Sequence, residues 1–114
     1  MIEVFLPIKT LSEANLRTHW AQRARRVRSQ RENACLLVRV KLGRPPARAS
    51  QIRVRLTRIA PRTLDSDNLA AALKAVRDGV ADALGMDDGD ECIEWAYAQR
   101  KGEPREYAVL VEIR

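Results

Sequence analysis

The sequence predicts an α+β domain, with two helices packed on a small mixed β-sheet. Four short stretches carry strand patterning, two longer ones repeat apolar residues at helical spacing, and they fall in the order β-α-β-α-β-β.

Residues 2–6 (IEVFL) read as a short strand that Pro7 ends, and residues 8–16 as an irregular loop. From Arg17 or Thr18 to about Leu42 there is no Gly or Pro, and Trp20, Ala24, Val27, Ala34 and Val38 recur at helical spacing. Thr18 suits the N-cap, Trp20 suits the core, and Gly43, Arg44, Pro45 and Pro46 stop the helix. Residues 51–59 alternate Ile52, Val54 and Leu56 with Arg53 and Arg55, which gives a strand with one buried face. A second helix follows at about 68–84, with a seam of Leu69, Leu73, Val76, Val80 and Leu84 and a stop at Gly85. After the turn GMDDGDE, residues 91–99 alternate again with Ile93, Trp95 and Tyr97 on one side. Gly102, Glu103 and Pro104 make a hairpin-like turn into a last strand carrying Tyr107, Val109, Val111 and Ile113.

With 114 residues the chain fits one domain, 1–114, large enough to bury a core without metal or disulfide staples. Five aromatics leave that core to Leu, Val, Ile and Ala. Cys35 and Cys92 stand far apart beside a single histidine, which is no zinc pattern; two buried, reduced thiols are expected. No apolar run approaches the roughly 20 residues that span a bilayer, and the start lacks signal-peptide features. The expectation is a cytoplasmic protein with no membrane partner.

Charge divides along the chain. Residues 1–62 carry 15 Lys/Arg against three Glu, and residues 63–114 carry six Lys/Arg against 12 Asp/Glu. Seventeen of the 21 basic residues are arginine, which suits bidentate phosphate contacts. A basic half points to a polyanion, and a carboxylate cluster elsewhere is reconciled with phosphate by bound divalent cations. Arg17, Arg23, Arg25, Arg26, Arg28 and Arg31 surround the first helix; a soluble helix face is the plain reading, and phosphate contact the better one. Arg53 and Arg55 suit a position under DNA or under a dimer partner. Trp20 suits the core better than a base-stacking platform, and His19 fits either.

The segment Leu64-Asp65-Ser66-Asp67-Asn68-Leu69 is the strongest local feature. In extended chain Asp65 and Asp67 point the same way at a strand-to-helix junction. Two such carboxylates suit Mg²⁺, which keeps several waters and accepts phosphate oxygens. The competing reading is helix capping by Ser66 or Asp67. Beyond the helix, about 25 Å on, Met86-Asp87-Asp88-Gly89-Asp90 taken alone is a solvated turn.

The stretch DSDNLAAALKAVRDGVADALGMDDGD resembles the signature of the RusA family of Holliday junction resolvases, best over residues 62–99. Ser12, Asn15, Arg17 and His19 resemble that family's N-terminal loop. The resemblance implies a homodimeric, Mg²⁺-dependent endodeoxyribonuclease, with Mn²⁺ as a substitute, that resolves four-way junctions by paired nicks leaving 5′-phosphate and 3′-hydroxyl ends. Its metal-binding and catalytic aspartates would be Asp65, Asp67 and Asp88, with Asp87 the alternative if the turn is shifted by one. Its lysine is commonly four residues after the second aspartate, where this chain has Ala71; Lys74 lies one turn further on the same face. Lys74 is thus the candidate catalytic lysine, against a plain surface pair with Asp78. Asn15, Arg17, His19, Arg23, Arg26 and Arg62 are the candidate DNA contacts, Arg62 nearest the metals. A nuclease of flaps or forks and a non-catalytic nucleic-acid-binding protein are the alternatives.

Overall fold

The structure, a computed structural model, describes residues 1–11, 19–46 and 51–114. Its elements run β1 (Ile2–Leu6), α1 (Trp20–Leu42), β2 (Ile52–Ala60), α2 (Ser66–Ala72), α3 (Lys74–Leu84), β3 (Ile93–Lys101) and β4 (Ala108–Ile113). This is the expected α+β order, with the second helix broken in two. The four strands form one mixed sheet in the order β1-β4-β2-β3. β4 runs antiparallel to both β1 and β2, whereas β3 runs parallel to β2. The parallel pair follows from the helices between them, since a crossover returns the chain to the end of the sheet where it began.

Period-two alternation makes the sheet two-faced. Val4, Leu6, Ile52, Val54, Leu56, Val109, Val111 and Ile113 are buried and share one core with Ala34 and Val38 of α1 and with Val76, Val80 and Leu84 of α3. Glu3, Phe5, Arg53, Arg55, Glu94 and Ala96 face outward and are exposed. The described residues therefore form two layers, with their helices on one face of the sheet.

Several details differ from the sequence expectation. The second helix starts at Ser66 rather than about 68 and breaks at Leu73, whose φ of −96° and ψ of 0° lie at the edge of the right-handed helical region. The bonds from Leu73 N to Leu69 O and from Arg77 N to Leu73 O survive, so the break is a kink. Leu73 is fully buried, and core packing sets its conformation against an unbroken periodicity. The N-cap of α2 is Asp65, neither Ser66 nor Asp67: its side chain accepts from Asn68 N at 2.9 Å.

The N-cap of α1 is His19, whose Nδ1 accepts from Ala21 N at 3.2 Å; Thr18 lies outside the described residues. Trp20 is 75% exposed rather than in the core, and Ala24 is exposed too, because the buried stripe of α1 begins with Gln30, Ala34 and Val38. The turn at 102–106 does not close a hairpin. β3 and β4 flank β2 on opposite sides, so the connection crosses the end of β2, with Gly102 N donating to Ala60 O. Cys35 and Cys92 are half-buried rather than buried, and neither is in a disulfide.

α1 crosses α3 at Gly79. A Cβ there would lie 2.3 Å from Arg31 O and 2.8 Å from the Ala34 side chain, so only glycine permits this approach. Arg31 locks the crossing with a forked pair to Asp82 at 2.7 and 2.9 Å, and Arg39 adds a bond to Asp82 O. Gly85, at φ 71°, ends α3 in the left-handed region.

Candidate functional site

Two loops converge where β2 hands over to α2. Arg58 is buried at 6% exposure on the core side of β2. Its guanidinium donates to Thr10 Oγ1 at 3.0 Å, to Thr10 O at 3.3 Å and to Arg62 O at 2.8 Å. Burial pulls its pKa below the ordinary arginine value. From β3, Gln99 grips Leu64 by both backbone groups, accepting from its N–H at 2.9 Å and donating to its carbonyl at 2.6 Å. Arg58 and Gln99 thus fix the chain from Arg62 to Leu64 and, through it, Asp65. Neither was anticipated, although alternation puts Arg58 in phase with Ile52, Val54 and Leu56 and Gln99 in phase with Ile93, Trp95 and Tyr97: a polar residue on the buried phase of a strand was the signal available.

Asp65 and Asp67 are both exposed at the start of α2. Asp65 uses both oxygens on Asn68, taking its backbone N–H and, at 3.1 Å, its side-chain amide. Asp67 sits in the first turn, where the helix dipole favours an acid.

Lys74 opens α3. Its ammonium bridges two carboxylates, Asp78 at 2.8 Å and Asp88 at 2.7 Å. Both readings of Lys74 therefore have a counterpart: it makes the i,i+4 surface pair and also reaches the later aspartate. The hydrogen bonds that Lys74 donates to Asp78 and then Asp88 raise its pKa, and the Lys74 hydrogen bond lowers that of Asp88. Arg77, one turn on, donates to Asp88 Oδ2 at 3.1 Å, to Asp88 O at 3.0 Å and to the Tyr97 hydroxyl at 2.7 Å. It lies over the Trp95 ring at 4.7 Å, and Trp95 Nε1 donates to Asp88 O at 2.9 Å. This clamp folds the 85–92 turn back against α3. Arg77, Trp95 and Tyr97 were not anticipated as site residues; helical spacing put Arg77 beside Lys74, but nothing local tied either to β3.

The three candidate metal-binding aspartates are not brought together. Asp88 is tied to Lys74 and Arg77 of α3, whereas Asp65 and Asp67 stand at the start of α2. Ligand oxygens on one Mg²⁺ must each lie about 2.1 Å from it. Among the described residues there is no group of three His, Cys, Asp or Glu arranged to hold a metal. In this arrangement the carboxylate of Asp88 is matched by Lys74 and Arg77. Asp87 closes its own turn by accepting from Gly89 N at 3.1 Å.

Of the candidate DNA contacts, His19, Arg23 and Arg62 are exposed and Arg26 is half-buried. Asn15 and Arg17, like Ser12, lie outside the described residues. Arg23 lines a groove between α1 and the α2–α3 pair, with Val27, Ala71, Ala75, Lys74 and Asp78. On the outer sheet face Arg55 pairs with Glu112 at 2.9 Å and Arg53 with Glu94 at 3.4 Å.

No family model matches the chain, and no solved structure matches it. An uncharacterized protein of Xylella fastidiosa (strain Temecula1 / ATCC 700964) is 37% identical over 89 residues. The match covers 72% of this chain and 56% of that protein, so the chain spans little more than half of its relative's length. Among the described residues no helix is long and apolar enough to cross a membrane.

Proposed function

We propose that the chain is a structure-selective endodeoxyribonuclease of the RusA type, cutting four-way DNA junctions as a homodimer in recombination or repair. One observation carries the reading: Lys74, displaced by a turn from the lysine position that the motif resemblance implies, still ends on the carboxylate of Asp88. Sequence-distant members of the motif meet across 14 residues. The arginines of α1 and Arg62 supply the phosphate-holding surface, and Lys74, held between Asp78 and Asp88, lines the groove beside α1. A two-fold dimer would supply the opposed nicks by symmetry.

Mg²⁺, or Mn²⁺ in its place, is the proposed cofactor, with Asp65 and Asp67 as its protein ligands. One or two carboxylates plus substrate oxygens suit a hydrated hard cation. When bound, such an ion would polarise the phosphate and activate a water. Asp88 is left out of that ligand set; its part is to position Lys74.

A second reading is a non-catalytic nucleic-acid-binding protein. It is favoured by the structural work these acids already do: Asp65 caps α2, and Asp88 balances Lys74 and Arg77.

A labelled four-way junction and the matching linear duplex, each incubated with Mg²⁺ or with EDTA, separate the two. Paired symmetric nicks in the junction alone, and only with metal, are the expected result; tight binding without cutting in Mg²⁺ or Mn²⁺ would favour the second reading. Asp67→Asn should abolish cutting and leave junction binding intact.

A further inference from the structure

Trp20 stands 75% exposed at the first helical position of α1. An indole is among the largest apolar surfaces a side chain offers, and in water it contributes nothing to the core. It does not stand alone. The His19 ring lies 5.5 Å away, centroid to centroid, tilted by 33°. The capping bond from Ala21 N to Nδ1 fixes that imidazole and leaves Nε2 as its outward donor. Two flat rings are thus held side by side at one end of the helix.

Their surroundings are basic. The first turn of α1 contains no acidic residue. Arg23 is three residues on from Trp20, the spacing that puts two side chains on one helix face. Arg23 in turn lines the groove between α1 and α2–α3 that leads to Lys74. An apolar plate followed by a guanidinium, about 5–6 Å apart at Cβ, matches the alternation of base and phosphate along a nucleic-acid strand.

We propose that His19 and Trp20 form a stacking platform for an unpaired base at the branch point of DNA, with Arg23 holding the adjacent phosphate. This rests on the DNA reading above and adds a site to it. In a closed duplex the base faces are covered by their neighbours, whereas a branch or a single-stranded arm offers one, so the platform selects open structures. The basic rim argues against a second copy as the occupant, since like-charged helices would be brought together.

The test uses the full chain and three probes in EDTA: a four-way junction, a duplex with an oligothymidylate arm, and a blunt duplex. Trp20→Ala should weaken binding to the armed duplex and the junction about tenfold, the order of one lost base stack, with little change on blunt duplex. Trp20→Phe should restore most of it. Indole emission should be quenched by the armed duplex in the wild type and not in Trp20→Phe, where Trp95 alone reports. Equal losses on all three probes, or no loss on any, would overturn the proposal; so would a change in sedimentation of Trp20→Ala without a change in DNA affinity. If the wild type cuts junctions while Trp20→Ala binds normally, only the platform fails. If the wild type binds no DNA, the nuclease reading fails with it.

Discussion

Asp78 and then Asp88 raise the pKa of Lys74, and Lys74 lowers that of Asp88, which sets the pH window of their contribution. Asp88 falls below its ordinary 3.8, so its share of stability is present above that value and lost as pH drops through the lower folded one. Lys74 rises above 10.5, so its share is present below that value and lost as pH climbs through the higher folded one. With the Lys74 side chain 57% exposed, solvent screens the pair and the effect is small. Asp88→Asn should lower Tm by a degree or two at pH 7, with the gap closing below about pH 4; a gap constant across that range would refute the coupling. Arg58 is the opposite case, a buried cation on neutral acceptors. Arg58→Met leaves Thr10 and Arg62 O without their donor and should cost about 1–3 kcal/mol in urea unfolding. At this scale the sequence told direction better than surroundings. Lys74 was readable because helical phase fixes which way a residue points, while the exposure of Trp20 was not, because where α1 leaves the core is decided by α3 and β1.

The crossing of α1 over α3 depends on the missing side chain of Gly79. Gly79→Ala forces the helices apart against backbone, which does not yield like a flexible side-chain tip, and should destabilise by about 1–3 kcal/mol in denaturant titration. Gln99→Leu removes both bonds to Leu64 and frees the connection before α2. Its expected signature is cutting that falls at least tenfold while Tm falls by only a few degrees, since the strand itself stays paired. A proportionate loss of both would make Gln99 purely structural. Helices and strands were legible here because buried faces impose their period on the chain. The kink at Leu73 and the route from β3 to β4 were not, since each is settled by packing against elements far away in sequence. The same limit applies to Asp88: its distance from Asp67 depends on how the 85–92 turn folds back, which Arg77 and Trp95 decide.

Across the whole molecule the basic and acidic halves of the chain meet at the α1–α3 contact, and this divides the arginines into two kinds. Arg31 is engaged with Asp82, whereas Arg25 and Arg28 are exposed along the same helix. Junction affinity should fall steeply with salt, and Arg25→Ala or Arg28→Ala should each flatten the log–log slope by about one. Arg31→Ala should instead lower Tm. The division of charge was plain in the sequence; its split between holding the fold and facing outward needed the helix crossing. The strand order has a further effect, on synthesis. Ile2 pairs with Ile113 and Leu6 with Val109, so β1 is joined to β4, the last of these four strands in chain order. At ribosomal speeds β1 waits about 5–20 s for its partner, with β2 also unpaired along the edge that β4 will take. The sheet cannot close until β4 has left the exit tunnel. A nascent chain halted before Ala108 should remain protease-sensitive and chaperone-bound, however well its helices have formed.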